Sequence, residues 1–234
     1  MTSQSPPAAQ QHQDIESLVR QAVYRTLPEA QLSGLNEAAR AISPVPRLVA
    51  SISARHIHVD QAALETLFGT GSQLTVLKPL YQEEAFAAEE TVTVFGPRKQ
   101  MIGNVRILGP LRQACQVELA FSDARLLGID APVRLSGNLE GTPGCYLVGP
   151  AGGLELPSGV IRAARHVHMH PSEANFYGVA AGDRMKLVVE SEQSGVLDGL
   201  ICRVSESEKL EVHLDTDEGN AVDLVHARKV YLEK

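Results

Sequence analysis

The chain has 234 residues, 44% of them hydrophobic and 21% charged, enough for one large domain or two compact ones of ordinary soluble composition. A formal net charge of −7 argues against a nucleic-acid-binding surface, and no apolar run reaches the ~18 residues of a membrane span. The three cysteines stand apart without a CxxC, so no disulfide framework or cysteine metal site suggests itself and a reducing, cytoplasmic setting is expected.

Residues 1–13 are polar and have no means of burying a core. From Asp14 to Leu27, apolar residues at 15, 18, 19, 22, 23 and 27 form one stripe of an amphipathic helix that Pro28 stops. About 20 Å long, it is marginal alone. It either packs on its own domain or is recognised by a partner. A linker over residues 28–44 separates it from the first β signal.

The core begins with a predicted strand, Arg47–Ala54, that runs into Arg55-His56-Ile57-His58. Asp60 then N-caps a short helix, Gln61–Phe68, which Gly69 ends. Short strands are predicted over Leu74–Leu77, Thr91–Phe95, Gly103–Leu108, Ala114–Phe121 and Val133–Asn138. Gly149-Pro150-Ala151-Gly152-Gly153 lacks the Gly-Lys-Ser/Thr context of a phosphate cradle and reads as an interdomain connection. Arg165-His166-Val167-His168-Met169-His170-Pro171 then repeats the first motif, with His56 to His166 and His58 to His168 both 110 positions apart. A second short helix follows, opened by Pro171 and Ser172 and closed by Gly178, with strands over Met185–Val189, Gly199–Val204, Leu210–Leu214 and Lys229–Leu232. Many short strands and a duplicated motif predict an all-β fold with short helices: two small barrels related by an approximate twofold.

Strand alternation puts both histidines of each motif on one face, roughly 7 Å apart, where both imidazoles reach one zinc at about 2.0–2.1 Å. Gln116-Val117-Glu118-Leu119 occupies the place in its half that Glu211-Val212-His213-Leu214 occupies in the other, at an offset of 95 positions. Two candidate ligand groups result: His56, His58 and Glu118; and His166, His168 and His213. Three protein ligands with an open position suit a catalytic metal, whereas structural zinc is closed by four. The all-histidine group, lacking a carboxylate, is expected to be the more positive of the two and the better holder of phosphate. His170 reads as a strand-end or supporting residue, and His12 and His226 as surface residues. Cys115 has no activating base and reads as packing. Arg112 is placed either to meet a phosphate bidentately or to be a surface charge.

From about Arg47 to the C-terminus, these motifs resemble the PduL-type phosphotransacylases (phosphate propanoyltransferases) of bacterial microcompartments. The likeness rests on Ser53-Ala54-Arg55-His56-Ile57-His58, Gly109-Pro110-Leu111-Arg112 leading to Glu118, Arg165-His166-Val167-His168-Met169, and Glu211-Val212-His213-Leu214-Asp215-Thr216-Asp217-Glu218. His170 departs from it, where a small polar residue is expected. The resemblance implies two interlocked barrels, residues 45–54 with 163–234 forming one and 55–162 the other. It implies a dinuclear site, two zinc ions per chain, between them. Residues 14–27 would be an encapsulation peptide engaging shell or cargo in a microcompartment lumen, and the chain a homodimer or higher oligomer. The implied reaction interconverts acyl-CoA, propanoyl-CoA foremost, plus phosphate with acyl phosphate plus coenzyme A, as in propanediol degradation. Phosphate would attack directly, without an acyl-enzyme, while Arg112 steadies phosphate or oxyanion. The alternatives are a metal-dependent thioesterase and a non-catalytic, zinc-stabilised assembly module.

Overall fold

A computed structural model describes residues 45–234. The tail, amphipathic helix and linker expected over residues 1–44 lie outside the described residues. The strands are β1 (Val49–Ser53), β2 (His56–His58), β3 (Val76–Pro79), β4 (Phe86–Phe95), β5 (Met101–Gly109), β6 (Gln116–Glu118), β7 (Val133–Arg134), β8 (Cys145–Val148), β9 (Gly153–Leu156), β10 (Val160–Ala163), β11 (His166–Met169), β12 (Arg184–Glu190), β13 (Gly195–Val204), β14 (Glu211–Asp215) and β15 (Lys229–Glu233). Among the described residues four short α-helices accompany them, α1 (Gln61–Phe68), α2 (Phe121–Leu127), α3 (Pro171–Tyr177) and α4 (Thr216–Ala221), with one 3-10 turn, Leu224–His226. None of the described helices is long and apolar enough to cross a membrane.

The strands form two curled sheets. Six run in the order β1-β14-β11-β13-β12-β15; nine make the other, β7-β10-β6-β2-β5-β4-β8-β9 with β3 on β4. The chain therefore passes between sheets twice. It leaves β1 for β2 through Ala54-Arg55, and β10 for β11 through Ala164-Arg165. Each passage stands immediately before a histidine motif, so the interlocked, duplicated all-β architecture is the one observed. The pairing is equivalent in both halves: Ser51 lies beside His213 in a parallel ladder, as Ile161 lies beside Glu118.

Alternation explains why the motifs sit where they do. Ile57 and Val167 are fully buried, each in its own sheet's apolar core, so their flanking histidines must face the opposite side. Around Ile57 pack Leu64, Ile107, Val117 and Leu147; around Val167 pack Met185, Leu200, Val212 and Leu214. The Asp60 carboxylate accepts the Ala63 N–H at 2.8 Å and starts α1 as predicted.

Three local expectations change. The strand predicted over Ala114–Phe121 is strand only over Gln116–Glu118, and Phe121 opens α2, whose left-handed Gly128 ends it. Val133–Asn138 is strand only at its first two residues. Gly149–Gly153 is no interdomain connection but the tight turn joining β8 to β9, closed by Gly149 N–H to Gly152 O at 2.9 Å. It lies against α1, where a Cβ on Gly149 would come 2.4 Å from the Leu67 carbonyl oxygen. Close packing, not a ligand, accounts for its glycine.

Candidate metal centre

Both histidine motifs and both third-ligand strands open onto one cavity of about 990 Å³ lined from both sheets. In the nine-stranded sheet, β2 and β6 run antiparallel with His56 opposite Glu118. In the six-stranded sheet, β11 and β14 run antiparallel with His166 opposite His213. The same register thus brings together His56, His58 and Glu118, and separately His166, His168 and His213, with one donor atom from each residue within 4.8 Å of the others.

The first group is aimed by its surroundings. His56 Nδ1 lies 2.9 Å from Ala54 O, and His58 Nδ1 3.2 Å from Leu108 O. Protonated Nδ1 atoms leave Nε2 as the free lone pair in both rings. Those two Nε2 atoms face Glu118, at 3.5 Å from Oε2 and 4.0 Å from Oε1. In the second group His166 Nδ1 lies 2.8 Å from Ala164 O, repeating the Ala54 contact, and His166 and His168 bring their Nε2 atoms to 3.1 Å. Two donors of a tetrahedral zinc stand about 3.4 Å apart. The donor types and separations fit such an ion in both groups. His168 Nδ1 and His213 Nε2, both buried, lie 2.6 and 2.9 Å from carboxylate oxygens of Glu208 and Glu211, so each of these rings sets one nitrogen against a carboxylate and keeps the other for a cation.

Electrostatics favour neutral rings. Burial, followed by the fields of His56 and Arg112, pushes His58 down to about 3. Burial and the neighbouring histidines push His166 to about 4 and His168 to about 3. His56 moves the other way: burial opposes its charge, but Glu118 beside it outweighs burial and raises it. Burial likewise works against the Glu118 carboxylate, yet His56, His58 and Arg112 together hold it well below the usual range. Unprotonated imidazoles beside an ionised carboxylate are the forms that bind a cation.

The family model for phosphate propanoyltransferase matches residues 49–225, a stretch that contains all six of these side chains and Arg112. A phosphate propanoyltransferase of Planctopirus limnophila is 52% identical over 222 residues, 94% of this chain and 91% of that protein. Phosphate propanoyltransferases of Thermotoga maritima and Salmonella typhimurium are each 48% identical, over 80% and 76% of this chain and 89% and 83% of theirs. The chain belongs to the phosphate propanoyltransferase family. It is an acyltransferase.

Several side chains at this family member's cavity escaped the sequence reading. Arg112 Nη1 donates to Ser136 Oγ at 2.8 Å, and Gln116 Nε2 donates to the same Ser136 oxygen at 2.8 Å and to Glu118. Arg203 also lines the cavity, beside His168 in the β11–β13 ladder, and its charge reaches Arg112. Nothing in the local sequence marks it. A detectable signal was missed elsewhere: Arg55 pairs with Asp123 and Arg165 with Glu218, both at 2.8 Å. The arginines are 110 positions apart and the acids 95, the two offsets already seen in the ligand pairs. The same 95 relates Phe121 to Thr216, the first residues of α2 and α4. Each passage between sheets is thereby tied to the helix after its third-ligand strand. His170 instead caps α3, accepting from Ser172 N–H through Nδ1, and its Nε2 lies 2.9 Å from Glu206.

Proposed function

We propose that the chain is a phosphotransacylase interconverting acyl-CoA, propanoyl-CoA foremost, and phosphate with acyl phosphate and coenzyme A. His56, His58 and Glu118 hold one zinc ion, and His166, His168 and His213 a second. The observation that carries this reading is the convergence of two equivalent donor groups and Arg112 on one cavity.

In the forward direction a phosphate oxygen bonds to the thioester carbon, the C–S bond breaks, and coenzyme A departs as thiolate. Zinc bound in these groups supplies Lewis-acid stabilisation to the developing oxyanion and thiolate. The protein does the rest. The Arg112 guanidinium, steadied at Nη1 by Ser136, presents its remaining N–H groups to phosphate. Gln116 fixes Ser136 and Glu118 together, so the arginine and the carboxylate keep one geometry. Arg203 adds a second cation to the cavity where phosphate must shed water. Leu80 and Leu108, which also line the cavity, offer apolar surface to a short acyl chain.

Direct attack agrees with the cysteines. Burial pushes Cys145 to about 12 and Cys202 to about 11, and raises Cys115, so none is a ready thiolate. Residues 14–27 direct the enzyme into a microcompartment lumen by engaging shell or cargo, residues 45–54 with 163–234 form one barrel and 55–162 the other, and the enzyme works as a homodimer or larger oligomer.

Thiol released from propanoyl-CoA by zinc-loaded protein, with and without phosphate, tests the reading. Release that requires phosphate is expected. Equal release without it identifies a thioesterase and refutes the proposal.

A further inference from the structure

The two halves distribute their carboxylates differently. Positions 116 and 118 share one face of β6, and 211 and 213 the equivalent face of β14. The first half reads amide then carboxylate, Gln116 and Glu118; the second reads carboxylate then imidazole, Glu211 and His213. The carboxylate on the third-ligand strand is therefore moved by two residues between the halves.

Glu211 is only 4% exposed. Ser51 Oγ donates to its Oε1 at 2.6 Å, Gln82 Nε2 donates to its Oε2 at 2.8 Å, and His213 Nε2 lies 2.9 Å from that same Oε2. Gln82 arrives from the β3–β4 connection of the other sheet and is itself clamped, donating to Lys209 O at 3.0 Å and accepting from Lys209 N–H at 3.1 Å. Ser51 on β1 and Gln82 from the β3–β4 connection thus hold one carboxylate against one imidazole. Burying a carboxylate is costly unless a positive partner compensates it. Among the described residues no Lys or Arg lies within ion-pair distance of Glu211; the one basic side chain at that distance is the His213 imidazole.

We propose that Glu211 is the positioning carboxylate of His213 in the second metal group: it fixes that ring and supplies, from the third-ligand strand, the negative charge that Glu118 supplies in the first. The inference rests on the dinuclear reading above. It also removes the charge difference expected from the ligand types, because Glu211 beside His213, with Glu208 beside His168, sets carboxylates against the all-histidine group. Selection of phosphate falls instead to Arg112 and Arg203.

The test compares wild type with Glu211→Gln, which keeps the shape and removes the charge, and with Gln82→Ala, which removes only the clamp. Zinc binding is titrated against a competing chelator, cobalt-loaded protein is followed by its visible spectrum, and thermal unfolding checks the fold. Wild type should bind two ions. In Glu211→Gln one of the two should bind roughly 10–100-fold more weakly with its cobalt bands shifted, and the other should be unchanged. Gln82→Ala should show the same one-site loss, several-fold in size, and this variant carries the test if Glu211→Gln does not fold. Two ions held with wild-type affinity and spectra in both variants would overturn the role of Glu211 while leaving the dinuclear reading intact. Fewer than two ions in wild type would end that reading and this inference with it.

Discussion

Acidifying the zinc-free protein should destabilise it in a pH range where most folded proteins keep their stability. His58, His166 and His168 are held neutral in the fold, at about 3, 4 and 3, against an ordinary value of 6.5. The unfolded chain therefore gains protons that the folded chain refuses, and stability falls as pH drops through 6.5. Between pH 7.5 and 5.5 each such histidine costs about 1.4 kcal/mol, so the three cost about 4 kcal/mol. His56 works oppositely: its raised folded value makes its contribution complete at low pH, returning at most about 1.4 kcal/mol over the same interval. Glu118 and Glu211 are both depressed, Glu211 to about 2, so their contributions are lost only below the ordinary carboxylate range. The net expectation is a loss of about 3 kcal/mol, a large share of a typical domain's stability. Urea unfolding of chelator-stripped protein at pH 7.5, 6.5 and 5.5 measures it, and saturating zinc at pH 7.5 should raise the midpoint by mass action. A midpoint that is level from pH 7.5 to 5.5 in the stripped protein would refute the claim that these rings are buried in neutral form.

Arg112→Ala should lower turnover by at least about a hundredfold, as loss of one oxyanion-type donor does, while bound zinc stays at the wild-type level; near-normal rates would remove Arg112 from the chemistry. Ile57→Ala, at a fully buried position between His56 and His58, should cost about 2–5 kcal/mol in denaturant unfolding, and Ile57→Val about 1 kcal/mol. A neutral Ile57→Ala would contradict the placement of that side chain in the core of the nine-stranded sheet.

Much of the site was legible because it is written twice. A single His-x-His on a strand is ambiguous, but His56-Ile57-His58 and His166-Val167-His168 repeat both the spacing and the β-branched residue that the core needs between them. Glu118 and His213 followed from matching their neighbours, and the structure puts them opposite His56 and His166. The passages between sheets were not legible in pattern, because strand alternation specifies which face a residue takes and not which sheet its strand joins; the family resemblance supplied them. Helix α2 was lost because the apolar Leu119-Ala120-Phe121 continues the alternating strand Gln116–Glu118, and so short an apolar run does not separate strand from a helix start. Arg203, Ser136 and Gln82 reach the cavity through pairings between segments far apart in sequence, which leave no local mark. Glu211 was quoted within its motif yet given no role, since its significance lies in the three groups that surround it.

The most direct test of the central claim is phosphate-dependent thiol release from propanoyl-CoA during stepwise return of zinc to stripped protein. The account predicts negligible release without metal and full rate only near two equivalents per chain, with phosphate required throughout. Full phosphate-dependent activity in the stripped protein, or a rate complete at one equivalent, would contradict a dinuclear site built from the two motifs.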